Sequence, residues 1–404
     1  MPTWEIAAIV GIGVSMGTGV TNWPIGGWTL SNATEAAVQT KVYSSYTWAN
    51  LYTRCLTFAA PTNPTVRSRI GSVNGAMLVT ITGTGVFQDT VNTDSLVDQN
   101  LINWQTDNTG GGAKTWSVCG STLQDTGTNI TLVSCRGDIV AQAFGQTLFC
   151  PIVGRFLEGA TSTTEAKTQY TLRRATTYSN FRVYVSTNGL DGATTWRPRV
   201  NLADGSQLLT IGPGGADTGA FEDTTNTDAV AVASEVNYEL DTTASTVSNL
   251  TTTLAQMKHT SVGREVGYAS PASNAIGTDN AYGGAEADGT LTATETNTQI
   301  AARAAFGAKN LMVNIFAHSG AAADYFLRVN TTNSALTVNI PASSTGIFED
   351  TANSVSVAVT DLYNYFRTIP GLATIDENII GMEQEPDDAI SDLPQGKLNV
   401  LLRM

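Results

Sequence analysis

The chain has 404 residues, more than one hydrophobic core usually organises, so two to four domains are expected and three fit best. Charged residues make up 14% and hydrophobic ones 42%, with Thr, Asn, Ser, Gly and Ala filling most of the rest, a mixture that favours strands and turns over helices. The formal net charge of −14 argues against a nucleic-acid backbone or an anionic membrane as partner, because both attract Lys and Arg.

The opening MPTWEIAAIVGIGVSMGTGV is mildly apolar, but no Lys or Arg precedes its apolar run and Gly and Thr interrupt it. Neither a signal peptide nor a membrane span is expected there. From Thr34 onward the chain repeats itself three times. TEAAVQ, TEAKTQ and TETNTQ place Glu35, Glu165 and Glu295 at equal separations, and Asn50, Asn180 and Asn310 follow at a constant distance. Each Asn opens an apolar run, NLYTRCL, NFRVYVS or NLMVNIF, in which every second residue is apolar or small. Leu51, Thr53 and Cys55 thus correspond to Phe181, Val183 and Val185 and to Leu311, Val313 and Ile315, the buried face of a strand in each copy.

Arg69, Arg199 and Arg328 come next, each read as opening a strand, and twelve residues beyond each lies Ile81, Ile211 or Ile340. A cation repeated alone calls for a repeated anion, and Glu35, Glu165 and Glu295 are its candidates; the alternative is a ligand-binding Arg in each copy. After a loop of variable length stands the phrase GVFQDTVNTD, GAFEDTTNTD or GIFEDTANSV. Its glycine suggests a turn and Phe87, Phe221 or Phe348 a plug for the end of a sandwich. Asp89, Asp223 and Asp350, each followed by an Asn, read as turn formers bonding nearby amides, with calcium the alternative because clustered Asp and Asn oxygens suit it. Val355 replaces the second acid of the other copies, Asp94 and Asp228, and weakens that alternative. The last anchor is an aromatic, Trp104, Tyr238 or Tyr365. The segment LTTTLAQM admits helical spacing, but its Thr run favours a strand.

Constant spacing inside blocks with length changes between them is the pattern of strands joined by tolerant loops. The expected fold is all-β: three tandem antiparallel β-sandwich or jelly-roll-like domains covering 1–150, 151–282 and 283–404. The second boundary rests on the Gly-rich stretch SPASNAIGTDNAYGGAEADGT. All four cysteines then fall in the first copy. Cys55 occupies a core column, and Cys119 and Cys135 are candidates for a disulfide.

Catalysis has little footing. The only histidines, His259 and His318, do not correspond between copies, and nucleophile-elbow, zincin, Walker and dinucleotide motifs are missing. Paired carboxylates of a glycosidase rank last among the functions considered, because no pair stands out from an acidic surface. No enzyme activity, metal or cofactor is expected.

The repeat, from TETNTQIAARAAFGAKNLMVNIF through LRVNTTNSALTVNIPASSTGIFEDTANSVSVAVTDLYNYF in its clearest copy, resembles a β-sandwich module of tailed-bacteriophage structural proteins. The resemblance covers the anchor blocks of all three copies and departs most in the first, where RIGSVNG shifts the usual Val-Asn after Arg. It implies a non-enzymatic part of the virion exterior (capsid decoration, fibre or tail-associated), assembled in the host cytoplasm. Its partners would be itself and other virion proteins, with a homo-oligomer such as a trimer, or a pseudo-threefold monomer, as the assembly. Two other readings stand beside it: an adhesin array binding a glycan receptor through aromatics such as Trp23, Trp28, Trp48, Trp116 and Trp196, and a subunit of an extracellular filament or surface layer. The C-terminal ENIIGMEQEPDDAISDLPQGKLNVLLRM is expected to pack on its own domain or on a neighbour.

Overall fold

The computed structural model describes residues 3–25, 32–59, 61–125, 130–152, 154–156, 162–260, 264–269, 280–285, 291–370 and 374–386. Residues 387–404 and Trp28 lie outside these residues, whereas the first part of the C-terminal segment, 377–386, lies in the last strand of the third sandwich and so packs on its own domain.

Three jelly rolls follow one another. The first contains β1 (Thr3–Ser15), β2 (Gly19–Trp23), β3 (Thr40–Lys41), β4 (Tyr46–Phe58), β5 (Thr65–Ile70), β6 (Val73–Thr80), β7 (Gly85–Leu96), β8 (Leu101–Asn108) and β9 (Lys114–Asp125). One sheet runs β1-β9-β4-β7 and the other β2-β8-β5-β6, with β3 added beside β8, all antiparallel. Apart from the β5–β6 hairpin and the short β3, successive strands cross from one sheet to the other, which is the eight-stranded jelly-roll connection.

The second contains β10 (Ile130–Ala143), β11 (Thr147–Cys150), β12 (Gly154–Phe156), β13 (Tyr170–Thr171), β14 (Thr176–Asn188), β15 (Thr194–Val200), β16 (Ala203–Asp204), β17 (Leu209–Ile211), β18 (Gly219–Val230), β19 (Glu235–Asp241) and β20 (Asn249–Thr260). Its sheets are β12-β10-β20-β14-β18 and β11-β19-β15-β16; β17 also pairs with β15 and β13 with β19, and β12 lies parallel to β10. The third contains β21 (Arg264–Ala269), β22 (Ala281–Gly283), β23 (Ile300–Ala301), β24 (Phe306–Ser319), β25 (Ala323–Val329), β26 (Thr332–Ile340), β27 (Gly346–Val357), β28 (Leu362–Thr368) and β29 (Thr374–Pro386), in sheets β21-β29-β24-β27 and β22-β28-β25-β26 with β23 beside β28. LTTTLAQM lies inside β20, a strand.

Strand pairing moves both domain boundaries toward the N-terminus. β10 pairs with β20 and β11 with β19, so residues from 130 onward belong to the second sandwich rather than the first. β21 pairs with β29, so the third begins by Arg264, not at 283. The Gly-rich stretch 270–290 follows β21 and contains β22, so it lies inside that sandwich rather than between two. The shared letters begin at the repeated Glu, and the first two strands of each sandwich precede it and share none, so the repeat alone places them with the preceding copy. The cysteines are redistributed accordingly. Cys119 is a buried free thiol in the first core, while Cys135 lies on β10 of the second sandwich, so the proposed bridge does not form. Cys150 pairs opposite Tyr238 in the second core.

Each sandwich has its own apolar core, in which the predicted columns meet: Leu51 and Cys55 with Met77, Val79 and Ile81; Phe181, Val183 and Val185 with Leu209 and Ile211; Leu311, Val313 and Ile315 with Leu336, Val338 and Ile340. Thr53 sits in the same column, buried and donating to the Val118 carbonyl. Trp104, Tyr238 and Tyr365 are fully buried at the centre of equivalent strands, and Tyr238 stacks on Phe181 with ring centroids 5.0 Å apart. Trp23, Trp48, Trp116 and Trp196 are also core residues.

Candidate functional site: the junctions between sandwiches

The repeated anchors brace each jelly roll from within, Asn180 also taking part in a junction described below, and they do not converge on one cleft. Asn50, Asn180 and Asn310 have φ of 57°, 55° and 54°, and at each the pairing of β4, β14 or β24 with its edge strand slips. They are the left-handed residues of a β-bulge, a conformation Asn tolerates better than most side chains. The Gly-x-Phe-x-Asp-Thr phrase is not a turn with a plug. Gly85, Gly219 and Gly346, with φ of 121°, 106° and 112°, start a twelve-residue edge strand, and the Phe packs along the flank of the core.

Further along the same strand the repeated Asp fastens one sheet to the other. Asp89 accepts from the amides of Val91 and Asn92, from the Asn92 side chain, and from the Leu78 amide on β6. Asp223 and Asp350 repeat the set with Leu208 and Thr337 as the donors from the other sheet. Burial opposes ionisation of all three, but the donors outweigh it and hold the carboxyls below their ordinary range, Asp223 far below. Among the described residues no group of three or more His, Cys, Asp or Glu is placed to hold a metal ion.

The repeated Arg closes a strand instead of opening one. It sits just before a two-residue hairpin whose central residues have positive φ: Gly71 and Ser72, Asn201 and Leu202, Asn330 and Thr331. Gly71 therefore takes the place of the Asn in the other copies, and RIGSVNG is not shifted. Arg69 meets Glu35 at 2.9 and 3.0 Å, Arg199 meets Glu165 at 3.0 and 3.1 Å, and Arg328 meets Glu295 at 2.7 and 3.4 Å. Each Arg also donates to the hairpin carbonyl of Ser72, Leu202 or Thr331. The pair ties the hairpin to the short 3-10 turn that the Glu begins (Glu35–Ala37, Glu165–Lys167, Glu295–Asn297). The Arg69 contact holds the Glu35 carboxyl below its usual range against the opposing effect of burial.

That turn and the short strand after it form a docking edge, which reaches onto the next sandwich. The edge of the first lies on the sheet of β14, β18 and β20. Lys41 Nζ is 2.7 Å from Glu222, the Tyr43 hydroxyl donates to Glu222 at 3.0 Å and to the Asn180 carbonyl at 3.2 Å, and Gln256 exchanges hydrogen bonds of 3.1 and 2.9 Å with the Lys41 backbone. Thr253 donates to the Ala37 carbonyl at 2.8 Å and Arg182 to that of Gln39 at 3.3 Å. Burial and the facing Glu222 push the Tyr43 phenol far above its normal range, so it donates as a neutral group.

The edge of the second sandwich lies on β24, β27 and β29 in the same way. Arg173 pairs with Glu349 at 2.8 Å, Arg174 with Glu383 and Glu385, and Asn314 donates to the carbonyls of Ala166 and Gln169. Tyr170 covers Gly381, where a Cβ would lie 2.5 Å from the ring, and Met312 joins the second core. The edge of the third lies back on the first. Arg303 donates to Gln88 at 2.6 Å and stands 4.4 Å from the centroid of Tyr52, Arg54 donates to the Thr296 carbonyl, and Tyr52 and Val118 belong to the apolar core of the third sandwich.

The contacts thus run first to second, second to third and third to first. Each is heterologous, and together they close a ring with pseudo-threefold symmetry inside one chain. The residues that make it are Tyr43, Arg173 and Arg303 on the edges, facing Glu222, Glu349 and Gln88, the variable letter between Phe and Asp in the repeated phrase. A search for shared letters passes over them because they differ between copies. The available signal was the second face of the strand after the repeated Asn, where Tyr52, Arg182 and Met312 are large rather than short and polar.

Among the described residues no helix is long and apolar enough to cross a membrane. A scan against protein-family models finds no match for this chain, and a search of curated proteins finds no similar sequence.

Proposed function

We propose that the chain is a non-enzymatic structural protein of a bacteriophage virion, on the particle exterior as a decoration, fibre or tail-associated component, acting through protein–protein interfaces. The observation that carries this reading is the ring. Three jelly rolls use their conserved letters for internal bracing and their variable letters to interlock, giving a stiff body with a threefold arrangement of outer faces. Such a body suits attachment where a particle presents three-fold or quasi-three-fold surroundings. The resemblance of the repeat to modules of tailed-phage structural proteins supplies the setting. Among the described residues, Trp23, Trp48, Trp104, Trp116 and Trp196 are core residues rather than an exposed indole platform of the kind the adhesin reading relies on, and Trp28 lies outside the described residues.

The test is quantitative mass spectrometry of purified phage particles from a host carrying the gene. The expected result is this chain in intact virions, at a fixed ratio to the major capsid or tail protein. Its absence from particles, with recovery in the cell envelope or in secreted filaments, would refute the proposal.

A further inference from the structure

We infer that the three junctions form a pairing code, in which the side chains that differ between copies let each docking edge fit one receiving sheet, so that the ring closes in a single order. The first part of the code is size. At the same edge position stand Thr40, Tyr170 and Ile300, all buried, and at the equivalent position of the three receiving sheets, opposite Arg182, Met312 and Tyr52, stand Gln256, Gly381 and Gly120. The small Thr40 leaves room for Gln256 to bond the neighbouring backbone. The large Tyr170 needs the bare Gly381. Gly120 is covered by Tyr52 of its own sandwich, and that ring joins the core containing Ile300.

The second part is charge. The edge with Arg173 and Arg174 meets Glu349, Glu383 and Glu385, the edge with Lys41 and Tyr43 meets Glu222 beside Arg182, and the edge with Arg303 meets neutral Gln88 and the Tyr52 ring. Wrong pairings fail on both counts. The second edge on the second sheet would drive Tyr170 into Gln256 and bring two arginines up to Arg182. The first edge on the third sheet would leave a void over Gly381 and remove Arg174 from Glu383 and Glu385. Penalties against the wrong partner as well as contacts with the right one are what specificity between similar surfaces requires. Three identical sandwiches would lack them and could trade places between chains.

The experiment transplants one pairing onto another in the full chain. Gly381→Gln gives the third sheet the side chain of the second, Tyr170→Thr gives the second edge the side chain of the first, and the double variant rebuilds the first pairing at the second junction. Thermal unfolding of the three is compared with the parent. The expected result is a Tm lowered by each single change and raised in the double variant above the Gly381→Gln single. A double variant whose loss equals the sum of the two would overturn the code, as would a Gly381→Gln protein as stable as the parent. Should Gly381→Gln yield no folded protein, charge exchange decides the matter in the same way. Arg173→Glu is expected to lower Tm and Arg173→Glu with Glu349→Arg to restore it; no recovery in that pair overturns the inference.

Discussion

Asn180 shows why a letter can recur without taking part in any reaction. Its φ of 55° costs an ordinary L-residue about 1–2 kcal/mol, which Asn reduces and Gly avoids. The conformation also turns its carbonyl toward the hydroxyl of Tyr43 on the neighbouring sandwich, so one bulge serves both strand and ring. Asn180→Ala should lower unfolding stability by about 1 kcal/mol and Asn180→Gly by less; urea midpoints of the two variants distinguish a backbone requirement from a side-chain contact. His259 is a second residue whose environment can be read out. It is buried against the Tyr178 ring at 5.4 Å, and burial pulls its pKa from 6.5 down to about 4. The unfolded chain therefore takes up the proton first as pH falls, so stability is full above the unfolded value and declines between pH 6.5 and about 4. The decline attributable to this group is about 3 kcal/mol, and His259→Phe should flatten that part of a stability-versus-pH curve while leaving the acid limb below pH 4 in place.

Strands were legible where copies agree and illegible where they differ. The alternation in NLYTRCL, NFRVYVS and NLMVNIF announces a strand with a buried face, and the fixed distance from Glu35 to Arg69 announces two elements that must meet. β1, β10 and β21 announce nothing comparable, because TWEIAAIVGIGVS, ITLVSCRGDIVAQA and REVGYA share no anchor, and only their pairing with β9, β20 and β29 reveals them as one element of the fold. The interior diverges just as far while keeping its shape. Between the sheets of the first sandwich, Trp23 meets Trp116 edge-on at 4.7 Å and donates to Thr106 at 2.8 Å. In the third, Glu377 stands where Trp116 stands, Gly283 where Trp23 stands, and the space holds Arg367 bound to Glu377 at 2.6 and 2.5 Å with the Tyr325 hydroxyl at 3.3 Å. Both charged groups are almost fully buried, and burial raises the Glu377 pKa against the opposing pull of Arg367. Glu377→Ala should cost about 3–5 kcal/mol by stranding the guanidinium, whereas replacing both partners with methionine should cost much less. Chemical denaturation of the single and double variants measures the difference.

A ring of three domains in one chain can come apart at one junction without any covalent bond breaking, and the place is fixed by connectivity. The first and second sandwiches are joined between Asp125 and Ile130 and the second and third between Thr260 and Arg264, whereas the third meets the first through side chains and main chain of distant segments. That seam is also the one where the letter between Phe and Asp is Gln88 instead of Glu222 or Glu349, so Arg303 faces a neutral amide while Arg173 and Lys41 face carboxylates. Its apolar part, Tyr52 and Val118 inside the third core, carries closure, and the polar part is weaker than at its two counterparts. Gln88→Glu should therefore add an ion pair of the Arg173–Glu349 kind, worth up to about 1 kcal/mol at low salt. The gain should shrink as salt screens it. Hydrogen exchange read at Ile300–Ala301 and across β4 reports opening of the seam separately from unfolding of any sandwich. Slower exchange there in the variant, with rates at Tyr170–Thr171 unchanged, is the expected outcome. Equal slowing at both junctions would mean that the ring opens as a unit and that no seam is weaker than the others.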